Sequence, residues 1–282
     1  MVLDFTLKKY TELIGALLKR DYQFYHLRDI IKQDGNIAEQ IIILRHDVDR
    51  LPKNSLLMAQ VEKSFGIKGT YYFRIVPESY DLKIMEKISG LGHEIGYHYE
   101  DVDVVIRNYK LRIRNEEDYQ KLIDLAYENF CKNLEMFRKN FDIKTVCMHG
   151  SPRSKYDNKI IWSKYNYKEL GIIGEPYFDI DFNEFAYFTD TGRRWNGNKV
   201  SIRDKVNSKY NFNFKSTKQI IENIDHLPPK LMFTIHPERW DACPVKWSDF
   251  LFHGDKTLPW IKNLIWQNVK NIVKKTIVGY KK

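Results

Sequence analysis

Residues 45–49 read Arg-His-Asp-Val-Asp and follow directly on an apolar run, Ile41-Ile42-Ile43-Leu44. From Arg45 to Arg50, five residues of six can ionise. Such a cluster is costly beside a core unless its members are paired or bind something. Asp47 and Asp49 are two apart, so in extended chain both point to one side and His46 to the other. Two carboxylates that close repel, and either one keeps a proton or a cation lies between them. Further candidates are Arg74, His98, His149 and His236. In His-Glu-Ile-Gly-Tyr-His (93–98) the outer histidines are five apart and diverge on a strand and on a helix alike. That excludes the zinc helix His-Glu-x-x-His, whose histidines share a face. His93 is left an orienting or packing role. A metal site needs about three protein ligands and an open position. Asp49 and His98 suit Zn²⁺ or another transition divalent ion. His26, His226 and His253 receive no functional role.

What positions these residues is an alternation of strand-like and helical segments. Strand character is expected at Ile41–Leu44, Gly69–Arg74, Glu94–His98, Thr145–Met148, Phe185–Phe188, Val200–Arg203 and Leu231–Ile235. Helices are expected from Pro52 to Phe65, from Asp81 to Ser89 and from about Glu116 to Asn140. Every candidate residue then falls at the C-terminal end of a strand, which in a βα barrel is the catalytic face. About seven such units favour an α/β fold of the distorted (β/α)7-barrel type, closed or nearly so, over a doubly wound sheet. No strand is followed by a dinucleotide fingerprint or a P-loop.

The length of 282 residues fits one domain spanning 1–282. Tyr10, Leu13, Ile14, Leu17 and Leu18 share a helical face, which predicts an N-terminal helix over about 5–35 packed on the barrel. A C-terminal helix is expected over about 259–276. There is no run of 18 apolar residues to cross a membrane, and no secretory signal. Cys131, Cys147 and Cys243 are scattered and form no C-x-x-C pair, as in a reduced, cytoplasmic protein. The formal charge of +9 comes from lysines spread along predicted helix faces. That pattern reads as a solvated surface rather than a nucleic-acid footprint.

At these residues the chain resembles the polysaccharide deacetylase family, the NodB-like carbohydrate esterases of family 4. Arg-His-Asp-Val-Asp (45–49) looks like the family's first motif, which implies Asp47 as catalytic base and Asp49 as a metal ligand. Gly-His-Glu-Ile-Gly-Tyr-His (92–98) is similar to the second, which implies His98 as a ligand. His149-Gly150-Ser151-Pro152-Arg153 stands where an arginine-containing motif lines the groove. Phe-Thr-Ile-His-Pro-Glu-Arg-Trp (233–240) resembles the closing motif, with His236 beside the substrate acyl group. The likeness runs from about residue 40 to 240. One departure bears on the metal: the second motif's further histidine is replaced by Val102. The third ligand is then either missing or supplied otherwise, by His149, Glu100 or Asp103.

The resemblance implies a metal-dependent hydrolase, with Zn²⁺ the expected ion, that removes acetyl from an N-acetylated saccharide in bacterial surface-polysaccharide biosynthesis. His236, as imidazolium, protonates the departing amine. Arg74, Asp190, Trp195, Arg239 and Trp240 are the expected substrate contacts, supplying hydrogen bonds and a stacking plane. Arg193, Arg194 and Arg239 suit a phosphate or uronic acid, hence a nucleotide- or lipid-linked sugar. The alternative is a catalytically impaired carbohydrate-binding homologue on the same fold.

Overall fold

In the computed structural model, which describes residues 4–33, 37–151, 154–196, 199, 201–203 and 205–240, the apolar run that begins at Ile41 does not stop at the charged residues. Strand β2, Ile41–Val48, continues through Arg45, His46 and Asp47, and all eight residues are buried. Ile42 and Leu44 pack into one apolar cluster, Ile41 and Ile43 into another on the opposite face with Tyr72, Cys147 and Met232. Burial on both faces is the condition of a central parallel strand, and it explains why the run lacks polar alternation.

The stretch expected to be a single helix over about 5–35 is helix, strand and helix. Helix α1, Leu7–Lys19, starts where the Thr6 hydroxyl accepts the Lys9 N–H, and it buries Tyr10, Leu13, Ile14 and Leu17 as the spacing predicts. Asp21 takes a positive φ of 62° and turns the chain. Strand β1, Gln23–Tyr25, then pairs in parallel with Ile41–Ile43, and α2, Leu27–Lys32, follows. Beyond β2 come α3 (Pro52–Ser64), β3 (Thr70–Phe73), α4 (Leu82–Gly90), β4 (Glu94–Tyr99), α5 (Asp101–Tyr109) and α6 (Glu116–Arg138). The remaining elements are β5 (Val146–Met148), α7 (Pro176–Asp179), β6 (Ala186–Thr189), α8 (Thr217–Glu222) and β7 (Lys230–Ile235).

Among the described residues the sheet runs β5-β4-β3-β2-β7-β6, with β1 beside β2 and every pairing parallel. It curls into a half barrel, a barrel-like α/β arrangement. Among the described residues the sheet does not close as a (β/α)7 barrel would, because its end strands β5 and β6 do not pair with each other. Residues 201–203, expected to belong to a strand, are irregular, and Val200 lies outside the described residues. Ser201-Ile202-Arg203 has no apolar face to bury: Ile202 is 60 % exposed. The helices and outer strand faces bury two large apolar clusters, one around Tyr71, Phe73, Tyr97, Phe130 and Phe137, the other around Leu44, Phe188, Phe233 and α1. No helix among the described residues is long and apolar enough to cross a membrane. The helix expected over about 259–276 lies outside the described residues.

Candidate active site

Strand alternation delivers the site. On the concave face Arg45 and Asp47 continue the parity of Ile41 and Ile43. In register beside Asp47 lies Tyr72 of β3, then Gly96 of β4, and His98 of β4 stands next to Cys147 of β5. Gly96 is needed there, because a Cβ would come within 2.3 Å of the Tyr72 ring. Past the strand ends the same parity brings in Asp49, Arg74, Glu100, His149 and His236. A cavity of about 220 Å³ opens at this end, lined by Asp47, Asp49, His98, His149, His236 and Arg239, together with Gly150, Thr191 and residues 201–203.

Three ion pairs lie in or behind its walls. Arg45, 1 % exposed, grips Asp47 bidentately, Nε to Oδ1 at 2.8 Å and Nη2 to Oδ2 at 2.5 Å. Burial alone would raise the Asp47 pKa, but Arg45 and then His98 hold it below the usual carboxylate value. Asp190 accepts the His236 backbone N–H at 2.9 Å and its ring Nδ1–H at 2.6 Å. Burial works against charge on that imidazole, yet the Asp190 carboxylate carries its pKa up to about 10. Arg74 donates to both oxygens of Glu100, at 2.9 and 2.7 Å through Nη2, and to the Asp49 carbonyl at 3.1 Å. Burial would raise Glu100, but His149 and Arg74 bring it down to about 2.

Asp49 stands apart from these pairs. Its Oδ1 lies 3.5 Å from His98 Nε2 and 3.5 Å from His149 Nε2, and it is buried without a hydrogen bond among the described residues. Burial would raise its pKa, but His149, His98 and His236 hold it well below the ordinary carboxylate range. His98 donates Nδ1–H to the Cys147 carbonyl at 2.9 Å, which turns Nε2 towards the carboxylates. His149 Nδ1 stands 3.4 Å from Glu100 Oε2, an ion-pair distance without a hydrogen bond among the described residues, and its Nε2 faces Asp49. An imidazole fixed by its far nitrogen, as in His98, is the usual arrangement of a metal-ligating histidine.

Among the described residues, two donor groups have all their ligand atoms within 4.8 Å of one another: Asp47 with His98 and Cys147, and Glu100 with Asp103 and His149; Asp49 belongs to neither. In the first, Arg45 already occupies both oxygens of Asp47. In the second, Arg74 occupies Glu100, and Asn158 donates to Asp103 Oδ2 at 3.0 Å. The Asp49 oxygen that faces His98 and His149 carries no such competitor among the described residues. Val102, by contrast, is fully buried in the apolar core.

The structure separates the expected substrate contacts. Arg239 lines the cavity and donates to Asp190 at 3.2 Å and to the Thr191 hydroxyl at 3.0 Å. Asp190, fully buried, has its oxygens taken up by His236, Arg239 and Trp240 Nε1, so it positions His236 and does not reach a ligand. Arg74 is likewise committed to Glu100 and lies off the cavity lining. Trp195 and Trp240 are 2 % and 1 % exposed and pack on Phe5 in the core, where Trp195 Nε1 donates to Thr217 and Trp240 Nε1 to Asp190. A tryptophan so enclosed offers no stacking plane. Arg45 and Arg203 are site residues that the sequence reading gave no role. The arginine two before Asp47 on the same strand face was the available signal for the first.

His46 answers the remainder of the opening cluster. It faces the helices, stacks on Tyr71 at 4.1 Å, and sets Nε2 2.7 Å from Glu62 Oε1, which also accepts from Tyr10 at 2.5 Å. His93 accepts the Gly69 N–H and meets the Ala59 carbonyl, a packing role as expected. A smaller cavity of about 160 Å³, near the start of β4, holds Glu94, whose oxygens accept from the Thr70 and Thr145 hydroxyls. Compared with known proteins, the chain matches no family model, no curated protein and no solved structure.

Proposed function

We propose that the chain is a metal-dependent hydrolase that removes the acetyl group from an N-acetylated sugar, a divergent relative of the NodB-like polysaccharide deacetylases. One observation carries this: a buried carboxylate oxygen of Asp49, without a hydrogen bond among the described residues, faces the Nε2 atoms of His98 and His149 at 3.5 Å each. Asp49, His98 and His149 would hold a divalent cation, Zn²⁺ by the mix of oxygen and imidazole donors. Such a cation, when bound, supplies Lewis acidity, polarising the acetyl carbonyl and easing loss of a proton from water.

The chain's own residues divide the proton transfers. Asp47, kept ionised and aimed by Arg45, accepts the proton of the attacking water. Arg45 makes it a weaker base but one that is always in its basic form. His236 gives its Nδ1–H to Asp190, so Nε2–H is the proton left for the cavity. As the carbonyl carbon gains the water oxygen and the C–N bond breaks, that proton passes to the departing nitrogen, and acetate and a free amine result. An amine leaves poorly unless protonated, so an imidazolium is the right acid for an amide. The curled parallel sheet, with these groups at its C-terminal rim, is compatible with the fold of the family.

Metal analysis of the purified chain, with acetate release from a panel of N-acetylated sugars, tests the reading. The expected result is about one equivalent of zinc and acetate formation that Asp49→Asn abolishes. A second reading, a glycan-binding protein without a competent metal, draws on Val102, which is sealed in the core and cannot supply the family's other histidine. Sugar binding with neither metal nor acetate release decides for it.

A further inference from the structure

Building on the deacetylase reading, we propose that the cavity is made for a saccharide that carries an oxyanion, a carboxylate or a phosphate, and that Arg203 is the residue that meets it. Arg203 lies against Gly150, just past the end of β5, and its seat is specific. A Cβ on Gly150 would stand 2.4 Å from Arg203 Cβ, so the approach of this segment requires glycine at 150. The guanidinium is steered by main-chain carbonyls, Nη2 to Ser154 at 2.6 Å and Nε to Ser151 at 3.4 Å. Carbonyl dipoles orient a guanidinium without cancelling its charge. The carboxylate paired with it, Asp157, is 3.8 Å from Nη1.

The other arginines of the site are held differently. Arg45 and Arg74 are each locked on a carboxylate of their own, at 2.5 and 2.7 Å. Arg239 shares Asp190 with His236 and has Glu238 Oε1 3.8 Å from its Nε. Among these four arginines, Arg203 is the one whose nearest carboxylate is farthest away, and it lines the cavity. A neutral acetamido sugar would desolvate Arg203 and offer it no charge, whereas a carboxylate or phosphate takes charge-assisted hydrogen bonds from the guanidinium N–H groups not given to Ser151 and Ser154. The carboxylates of Asp47 and Asp49 come from the strand ends, the arginines from separate segments. One ligand can thus present its acetamide to the first and its anion to the second.

The test uses the zinc-loaded full chain. Acetate release is compared for the methyl glycosides of N-acetylglucosamine and N-acetylglucosaminuronic acid and for N-acetylglucosamine 1-phosphate, with their galacto counterparts. Calorimetry measures binding of the matching free amines. Expected is a kcat/KM at least tenfold higher for one anionic class than for the neutral glycoside, a preference that Arg203→Met removes and Arg203→Lys keeps in part. Which anion wins distinguishes a uronic acid from a sugar phosphate. Equal kcat/KM across neutral and anionic substrates overturns the anion subsite and leaves deacetylation standing. Anionic amines that bind tenfold tighter than neutral ones, with no acetate released from any substrate, uphold the subsite and overturn deacetylation. The wild-type comparison needs no variant, so a failure of Arg203→Met to fold leaves it decisive.

Discussion

Asp190 holds His236 at two points, accepting its backbone N–H on Oδ2 at 2.9 Å and its ring Nδ1–H on Oδ1 at 2.6 Å. The grip fixes the tautomer, aims Nε2 at the cavity and keeps the ring charged, with a pKa of about 10.

Asp190→Asn removes the charge that offsets burial, so His236 then titrates below its ordinary value of ~6.5. A reaction that needs the imidazolium should keep its rate up to about pH 10 in the wild type. In the variant the rate should fall already below neutrality, with little change in KM. The sign for stability follows from the same shift. A raised histidine contributes stability fully below ~6.5 and loses it as pH rises through the folded value of about 10. Proton NMR of the His236 ring reads the pKa without reference to turnover, and an unmoved titration in Asp190→Asn would remove Asp190 from this role.

The parity of Asp47 and Asp49, the strand-end position of His98, His149 and His236, and the split of His93 from His98 were legible because they depend only on local alternation. The role of Asp190 was not, since it depends on β6 lying beside β7, and strand order is a property of the whole sheet. The two tryptophans illustrate the same limit: an aromatic near a motif can face the groove or the core, and helix α1 decides it by covering Trp240 with Tyr10. Strand β1 is three residues long and pairs with β2 across an intervening helix, too short to leave a period in the sequence.

Arg45 and Asp47 are both buried, so removing one partner strands the other charge. Arg45→Met should cost about 3–5 kcal/mol in urea unfolding, while Arg45→Met with Asp47→Leu should recover most of it, because a desolvated ion pair is often matched by apolar packing. Asp47→Asn should lower kcat by ~10²-fold or more if Asp47 takes the water's proton. Stability lost equally in the single and double variants would show that packing, not charge pairing, dominates here.

Leu51, 55 % exposed, sits at φ 52° between Asp49 and the start of α3. A left-handed conformation costs an L-residue about 1–2 kcal/mol, and glycine avoids it at an unfolded-state entropy cost of about 0.5–1 kcal/mol. Leu51→Gly should therefore stabilise the fold by about 0.5–1 kcal/mol in denaturant melts. No apolar contact is sacrificed on the exposed side, so a loss of stability would mean that the side chain packs more tightly than its exposure implies.

Whether a cation uses the proposed Asp49–His98–His149 ligands or one of the two closer donor groups can be decided without any substrate. A cation that binds only the folded chain stabilises it by about 2.7 kcal/mol at 100 times its Kd. Zn²⁺ should accordingly raise the Tm of the wild type, and a chelator should reverse the rise. Asp49→Asn, His98→Ala and His149→Ala should each abolish it. Cys147→Ser should leave it intact, because Arg45 already occupies the Asp47 oxygens that the thiol-containing group requires. Asp103→Asn should leave it intact as well, since Asn158 and Arg74 occupy the Asp103–Glu100 group. A rise that survives Asp49→Asn but vanishes in Cys147→Ser would move the ion two residues down β2 and take Asp47 out of proton transfer, for one carboxylate cannot both ligate the metal through its paired oxygens and accept the water's proton.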